Sequence, residues 1–147
     1  MSRFKAKPVT LVIIVSSLLG VADMSYLTSA HFNKAPLICG AIPALSSCNA
    51  VASSAFSLIY GVPVSLIGLI FYLMLLGGIA FYCFYRSSYR LLSTLFYLTL
   101  AGLAFSLYLV YTEAEILHQF CQYCLSSDIL TVIIFFSLWV ALKKNRM

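Results

Sequence analysis

Four long apolar runs constrain this chain more than any other feature of its sequence. Each is long enough to cross a hydrocarbon core of about 30 Å as a helix of about 20 residues, and together they cover approximately residues 8–31, 61–85, 91–112 and 119–142. Because hydrocarbon offers backbone polar groups no hydrogen-bonding partner, the runs are predicted to be helices. We therefore expect an all-α integral membrane protein, a four-transmembrane-helix bundle that forms a single membrane domain over 1–147.

The charged residues are few and sit between the runs. Only 9% of the chain is charged and 63% is hydrophobic, so the net charge of +5 is typical of membrane topology and no nucleic-acid partner is expected. Eight of the nine Lys and Arg residues fall on one side of the predicted membrane, and Lys34 alone falls on the other. The eight are Arg3, Lys5, Lys7, Arg86, Arg90, Lys143, Lys144 and Arg146. Both termini are therefore predicted to be cytoplasmic.

One connection is long, and the orientation places it on the extracytoplasmic side as an outer loop over 32–60. In its second half, from Ser47 to Tyr60, apolar residues recur at helical spacing. We predict a short amphipathic helix there at the outer interface. Gly61 would end this helix, and Pro63 would lie in the first turn of the next one. Glu113 and Glu115 also fall on the outer side.

The five cysteines divide by topology. Cys39 and Cys48 lie in the outer loop, and Cys121 and Cys124 lie at the outer end of the fourth run. These four share the oxidising side in two pairs. Cys83 lies near the cytoplasmic end of the second run without a cysteine partner on its side, and is expected to be a small packing residue.

Cys121-Gln-Tyr-Cys124 is a CxxC motif at the start of a predicted helix. Free N–H groups and the helix dipole favour a thiolate at this position, and the spacing lets the second thiol resolve a mixed disulfide. On the residues alone, Cys39 and Cys48 could instead complete a zinc site or form a static disulfide. A loop pair facing a membrane pair favours a relay of two disulfides.

In order and position these motifs resemble the vitamin K epoxide reductase family in its bacterial form. The resemblance covers nearly the whole chain. It is carried by three segments, which are Cys39 with Cys48-Asn-Ala-Val-Ala-Ser-Ser54, then Gly61-Val-Pro-Val-Ser-Leu-Ile-Gly68, then Cys121-Gln-Tyr-Cys124.

The resemblance implies a role for each of these residues in a four-helix bundle around a quinone. Cys39 would exchange with a partner protein, and Cys48 would pass electrons to Cys121. Cys124 would face the quinone, either ubiquinone or menaquinone, and Ser54 on the loop helix would help to hold that site. The implied protein is a quinone-dependent thiol oxidoreductase of a bacterial inner or cytoplasmic membrane.

Two departures from the family pattern concern the acceptor. The asparagine that contacts vitamin K in the animal members corresponds to Val64, and the tyrosine one turn after their CxxC corresponds to Asp128. Both differences count against epoxide reduction and favour a bacterial quinone. Many bacterial relatives carry a fused thioredoxin-like domain, whereas this chain ends about five residues after its last run. The implied partner is therefore a separate DsbA-like thioredoxin-fold protein.

Two acids, Asp23 and Asp128, fall inside apolar runs, where ionisable groups are costly and usually functional. Either could relay the protons that quinone reduction takes up, or could simply bond to a neighbouring helix. The histidines, His31 and His118, are expected at the outer interface, and no metal site is predicted from them. The alternative function is a small membrane transporter or metal-binding protein that uses the cysteines as soft ligands.

Overall fold

The computed structural model describes residues 7–40, 43, 46–85 and 88–146. Five α-helices occur in this part of the chain, namely α1 (Lys7–Asn33), α2 (Cys48–Ala52), α3 (Val64–Phe84), α4 (Tyr89–Tyr111) and α5 (Gln122–Arg146). A π-helical segment, Thr112–Leu117, continues α4 without a break. Arg3, Lys5 and Arg86, on which the predicted orientation partly depends, lie outside the described residues.

Four of the helical stretches are long and apolar enough to cross a membrane: Pro8–Asn33, Val64–Phe84, Tyr89–Leu117 and Gln122–Arg146. This confirms the predicted all-α membrane fold. Going around the bundle, α1 packs against α3 and α5, and α4 packs against α5 and α3. We call the end of the bundle where α1 stops and α5 starts the cysteine end.

The bundle interior combines aliphatic packing with a few buried polar bonds. Leu75 and Ile79 of α3 are buried with Ile134 and Leu138 of α5. The buried Tyr72 hydroxyl donates to the Ser127 carbonyl at 2.6 Å and lies 2.9 Å from the Thr131 hydroxyl. Such bonds link α3 to α5 across a core where water cannot replace them.

Close approach of α1 to α3 depends on a small residue. Gly20 of α1 faces the ring of Tyr72, which leaves no room there for a β-carbon. Small residues at helix contacts let backbones approach in membranes, where helix association depends on van der Waals packing. The same tyrosine thus packs on α1 with its ring and bonds to α5 with its hydroxyl.

The predicted amphipathic helix over 47–60 is wrong in its extent. Only α2 is α-helical, and it is followed by a 3₁₀ turn, Ala55–Ser57. The hydroxyls of Ser53 and Ser54 donate to the carbonyls of Ala50 and Val51, at 3.2 and 2.7 Å. Serine side chains that bond to nearby backbone compete with helix continuation, so the helix ends before the polar run.

A small hairpin occupies the rest of that segment. Strands β1 (Leu58–Ile59) and β2 (Val62–Pro63) pair antiparallel, with Leu58 opposite Pro63 and Ile59 opposite Val62. The turn residues Tyr60 and Gly61 both have positive φ, 50° and 81°, as the two-residue turn of a tight hairpin requires. Gly61 therefore makes a turn instead of ending a helix, and Pro63 directly precedes α3.

Candidate functional site

Cys39 and Cys48 form a disulfide in the loop, with 6.2 Å between their Cα atoms. Cys48 opens α2 and is completely buried, whereas Cys39 is half-buried. Thiol–disulfide exchange requires that the attacking thiolate reach a sulfur atom. Cys39 is therefore the more accessible sulfur of the loop disulfide.

The chain before Cys39 is held by side chains. The Asn49 amide oxygen accepts the Leu37 N–H at 2.7 Å, and its nitrogen donates to the Leu37 carbonyl at 3.2 Å. The next residue, Ile38, donates its N–H to the Tyr26 hydroxyl at 3.0 Å and accepts the Tyr123 hydroxyl at 2.8 Å. The loop is thereby fastened to α1, α2 and α5 just before its disulfide.

Cys121 and Cys124 are free thiols at the start of α5. Cys121 is buried and lies directly before the helix, while Cys124 lies in its first turn and is half-buried. The Cys124 thiol, hydrogen-bonded to Cys121, holds the pKa of the Cys121 thiol below its ordinary value. Hydrogen bonds that favour the charged form act in this direction, and the thiolate is the nucleophilic form.

A backbone contact links the outer loop to the helix pair. Ser46 forms an isolated antiparallel bridge with Cys121, and Ser46 is two residues from Cys48. Cys48 and Cys121 are both buried and belong to the same hydrophobic core cluster. The loop that carries Cys48 is thus attached to the backbone at Cys121.

A cavity opens beneath the loop at the cysteine end. The residues that line it come from the ends of all four long helices, from α2 and from the segment after α2: Met24, Leu27, His31, Val51, Ala52, Ser54, Phe56, Ser57, Pro63, Val64, Ser65, Leu109, Thr112, Glu113, Leu117, Cys121, Cys124, Ser127 and Asp128. The wall is mostly apolar, with a few polar groups near Cys124. Organic ligands are usually held by walls of this composition.

The predicted quinone and relay residues are placed as follows. Ser54 lines the cavity, although it follows α2 and does not lie on it. Cys124 and Asp128 line it as well, and the Asp128 carboxylate accepts a hydrogen bond from Ser106 of α4. Asp23 is not among the lining residues; one of its carboxylate oxygens is buried without a hydrogen-bond partner.

The expectation for Cys83 is wrong, whereas the structure does not contradict the expectation for the two histidines. Cys83 is exposed on the side of α3, so it is not a packing residue of the bundle interior. His31 lines the cavity, and His118 is exposed in a left-handed turn at the end of the π-helical segment. Within the described ranges, no cluster of three or more His, Cys, Asp or Glu side chains is arranged to hold a metal ion.

Glu113 is the site residue that the sequence did not reveal. It was expected on the outer side of the membrane, but it is only 4% exposed and lines the cavity. One carboxylate oxygen accepts the N–H of Cys121 at 3.4 Å, and the carboxyl lies within hydrogen-bonding reach of the Cys124 thiol. The available signal was an acid that directly follows an uncharged run, eight residues before the CxxC.

A helix bundle that carries a loop disulfide over a pair of free thiols and a shared apolar cavity defines a membrane protein built for thiol chemistry. Residues 11–139 match the model of the vitamin K epoxide reductase family. The chain belongs to this family, and the resemblance seen in the motifs is confirmed. The family is one of membrane thiol oxidoreductases that are generally linked to quinones. Comparison with curated proteins finds no match.

Proposed function

We propose that this protein reoxidises a separate DsbA-like thioredoxin-fold protein and passes the electrons to a membrane quinone, ubiquinone or menaquinone. The observation that supports it most is the Ser46–Cys121 bridge, which attaches the loop that carries the disulfide to the residue that opens the free thiol pair at the cavity. The path runs from Cys39 and Cys48 to Cys121 and Cys124, and then to the quinone.

The first exchange takes place at the half-buried sulfur. A thiolate of the partner attacks Cys39, a mixed disulfide forms, and Cys48 leaves as a thiolate. The second thiol of the partner then attacks its own mixed sulfur and frees Cys39, so the partner leaves oxidised. The loop now holds two electrons as two thiols.

The second exchange takes place inside the bundle. The Cys48 thiolate attacks Cys121 of an oxidised Cys121–Cys124 pair, and Cys124 leaves as a thiolate. Attack by Cys39 on Cys48 closes the loop disulfide again and releases Cys121. The outcome is the state that the structure shows, with the loop pair bonded and Cys121 and Cys124 as thiols.

The residues around Cys124 fit a quinone. Met24, Leu27, Phe56 and Leu109 supply apolar walls for a ring and its isoprenoid tail, and Ser54 brings a hydroxyl to the same wall. The quinone, when bound, supplies a two-electron acceptor beside Cys124. Val64, at the position where the animal members carry asparagine, puts an aliphatic side chain on this wall, which favours a quinone over vitamin K epoxide.

We further propose that the cysteine end faces the extracytoplasmic side of a bacterial inner or cytoplasmic membrane. The excess of Lys and Arg at the opposite end, including Arg90, Lys143 and Lys144, supports this orientation. A reporter fused to the C-terminus should then read as cytoplasmic, and one inserted at Lys34 as extracytoplasmic. The reverse pattern would put the four thiols in a reducing compartment and exclude the oxidase.

The decisive experiment uses the purified full-length protein with a reduced thioredoxin-fold protein and a short-chain ubiquinone or menaquinone. One quinone should be reduced for each disulfide formed in the partner, and omission of either substrate should stop the other reaction. Stoichiometric bound zinc or copper without quinone turnover would instead support the metal-binding alternative.

A further inference from the structure

Glu113 is a buried acid at the reacting end of the bundle that the electron path above does not use. It lies in the π-helical segment Thr112–Leu117, in which the α4 span ends. Single π-turns inside long helices occur frequently at functional sites. An ionisable side chain buried at membrane depth is costly unless it is bonded, so a buried glutamate at this place points to a specific role.

The contacts of Glu113 are with the two redox cysteines. Its carboxylate accepts the backbone N–H of Cys121 and lies within hydrogen-bonding reach of the Cys124 thiol. The thiols of Cys121 and Cys124 are hydrogen-bonded to each other. A proton leaving the Cys124 sulfur therefore has a carboxylate oxygen next to it within the cavity.

We propose that Glu113 is a catalytic residue that takes the proton of Cys124 when Cys121 and Cys124 close to a disulfide, and then passes it to the reduced acceptor. The inference rests on the proposed function for the identity of that acceptor, a quinone. Quinone reduction consumes two protons, so the proposed electron path must be accompanied by a path for protons. Glu113 would provide that path for one of them.

The step balances as follows. The Cys124 S–H bond breaks, the Cys121 thiolate and the Cys124 sulfur form the S–S bond, and two electrons go to the quinone. One proton reaches the quinone from Cys124 through Glu113. The second proton comes from solvent. It balances the proton that Cys121 released to solvent earlier, when it became a thiolate.

Charge conservation favours Glu113 for this step. Transfer of a proton from the Cys124 thiol to an adjacent carboxylate leaves the total charge of the cavity unchanged, whereas loss to distant water would add one negative charge to those of the Cys121 thiolate and Glu113 in a medium of low dielectric constant. The other acid on the cavity wall, Asp128, is bonded to Ser106 of α4. Glu115, in the same π-helical segment, is exposed.

Infrared difference spectroscopy tests the proton transfer without a quinone. The full-length protein in detergent is oxidised from the dithiol to the Cys121–Cys124 disulfide with diamide, and the two spectra are subtracted. A carbonyl band of a protonated carboxyl group should appear on oxidation, disappear in Glu113→Gln, and persist in the matched control Glu115→Gln. A band that persists in Glu113→Gln, or that never appears in the wild type, overturns the proposal.

Turnover supplies the second readout. Glutamine can still accept the Cys121 N–H, so Glu113→Gln should keep the fold but slow quinone reduction on the order of a hundredfold. The loss should shrink as pH rises, because hydroxide then removes the Cys124 proton directly. The other titratable groups that face this site, Asp128, His31 and Cys121, are present in both proteins, so the quantity compared is the ratio of the variant rate to the wild-type rate at each pH.

The two readouts separate this inference from the proposed function. A Glu113-dependent infrared band in a protein that reduces no quinone would support the proton acceptor and refute the quinone as electron acceptor. Quinone turnover that Glu113→Gln leaves at the wild-type rate would refute the proton acceptor and leave the oxidase intact. A uniform loss of rate at all pH values would assign Glu113 a structural role only, and would also overturn the inference.

Discussion

The two cysteine pairs of this protein have similar chemistry but are held in place by different kinds of structure. The loop pair, Cys39 and Cys48, follows a segment whose backbone groups bond to the side chains of Asn49, Tyr26 and Tyr123. The helix pair, Cys121 and Cys124, is set by the first turn of α5. Bonds to side chains can be exchanged one at a time, whereas a helix moves as a unit. Any motion that the proposed relay needs is therefore expected in the loop.

The four residues also differ in burial in the order in which electrons would pass them. Cys39 is half-buried, Cys48 and Cys121 are buried, and Cys124 is half-buried with its open side at the cavity. The two buried residues share the core cluster and are joined through the bridge at Ser46. Cys39 and Cys124 are thus accessible, whereas Cys48 and Cys121 are buried between them. This arrangement would keep a partner protein at Cys39 apart from a quinone at Cys124.

The largest effect is expected from removal of the last thiol. In Cys124→Ser, the Cys121–Cys124 disulfide cannot form, so turnover should cease. The Cys121 thiolate can still attack Cys48 of the loop disulfide, and without Cys124 to displace Cys48 from Cys121, the Cys48–Cys121 mixed disulfide should accumulate to the extent that Cys39 does not reverse it. Bridged Cα atoms lie within about 7 Å, so the loop must carry Cys48 to that distance. Proteolysis between α3 and α5 followed by non-reducing mass spectrometry reads the linkage.

The control for this trap is Cys83→Ser, which removes the thiol on the exposed side of α3 and should leave turnover intact. If Cys124→Ser contains only the Cys39–Cys48 bond with Cys121 alkylatable, the loop pair is a static disulfide. The contrast between a mobile pair and a fixed pair would then be wrong.

Substitution of Cys39, at the other end of the proposed electron path, is expected to abolish oxidation of the partner but not reduction of the quinone by small dithiols. Cys39→Ala should abolish oxidation of a thioredoxin-fold partner, because the accessible sulfur is gone. Small dithiols that enter the cavity should still reduce the quinone through Cys121 and Cys124, at a fraction of the wild-type rate. Parallel assays with both reductants measure this, and equal loss of the two activities would show that Cys39 is not the entry point.

The sequence revealed the four spans, the pairing of cysteines by side and the family, because each depends on local patterns of charge and hydropathy or on short motifs. It did not reveal the hairpin or the buried Glu113. The apolar residues over 47–60 have helical spacing, so the sequence pattern is compatible with a helix as well as with a turn at Tyr60–Gly61. The hydrogen bonds of Ser53 and Ser54 to the backbone favour the end of the helix and hence the turn. Glu113 is buried in a π-helical segment that prolongs α4, and hydropathy carries no signal for that change of helix type.

A moderate effect is expected from loosening the loop without touching sulfur. Asn49→Ala removes two hydrogen bonds to Leu37 and leaves partly buried backbone groups unpaired, at a cost of about 1–3 kcal/mol. Exchange with the partner should become several-fold slower, while quinone reduction by small dithiols stays unchanged. Asn33→Ala, which removes only an exposed bond to Ser29, is the matched control and should alter neither rate.

The smallest effect is a shift of ionisation in the helix pair. In a background that lacks Cys39 and Cys48, Cys121 should react with alkylating agents at lower pH than an ordinary thiol, because the Cys124 hydrogen bond lowers its pKa. Adding Cys124→Ala removes the donor and should move the midpoint of the rate-against-pH curve upward. Mass spectrometry of the Cys121 peptide follows the reaction, and an unmoved midpoint would assign the low pKa to another cause.

The π-helical segment Thr112–Leu117 has a consequence for how relatives of this protein can vary in length. A π-turn holds about one residue more than an α-turn, and each residue of an α-helix rotates its neighbours by about 100°. Deleting one residue between Ala114 and Leu117 would restore α-helical geometry and turn Glu113 relative to the chain that leads to Cys121. Functional relatives should therefore keep the interval between this glutamate and the CxxC constant, while tolerating substitution at the exposed Glu115 and Ile116 within it.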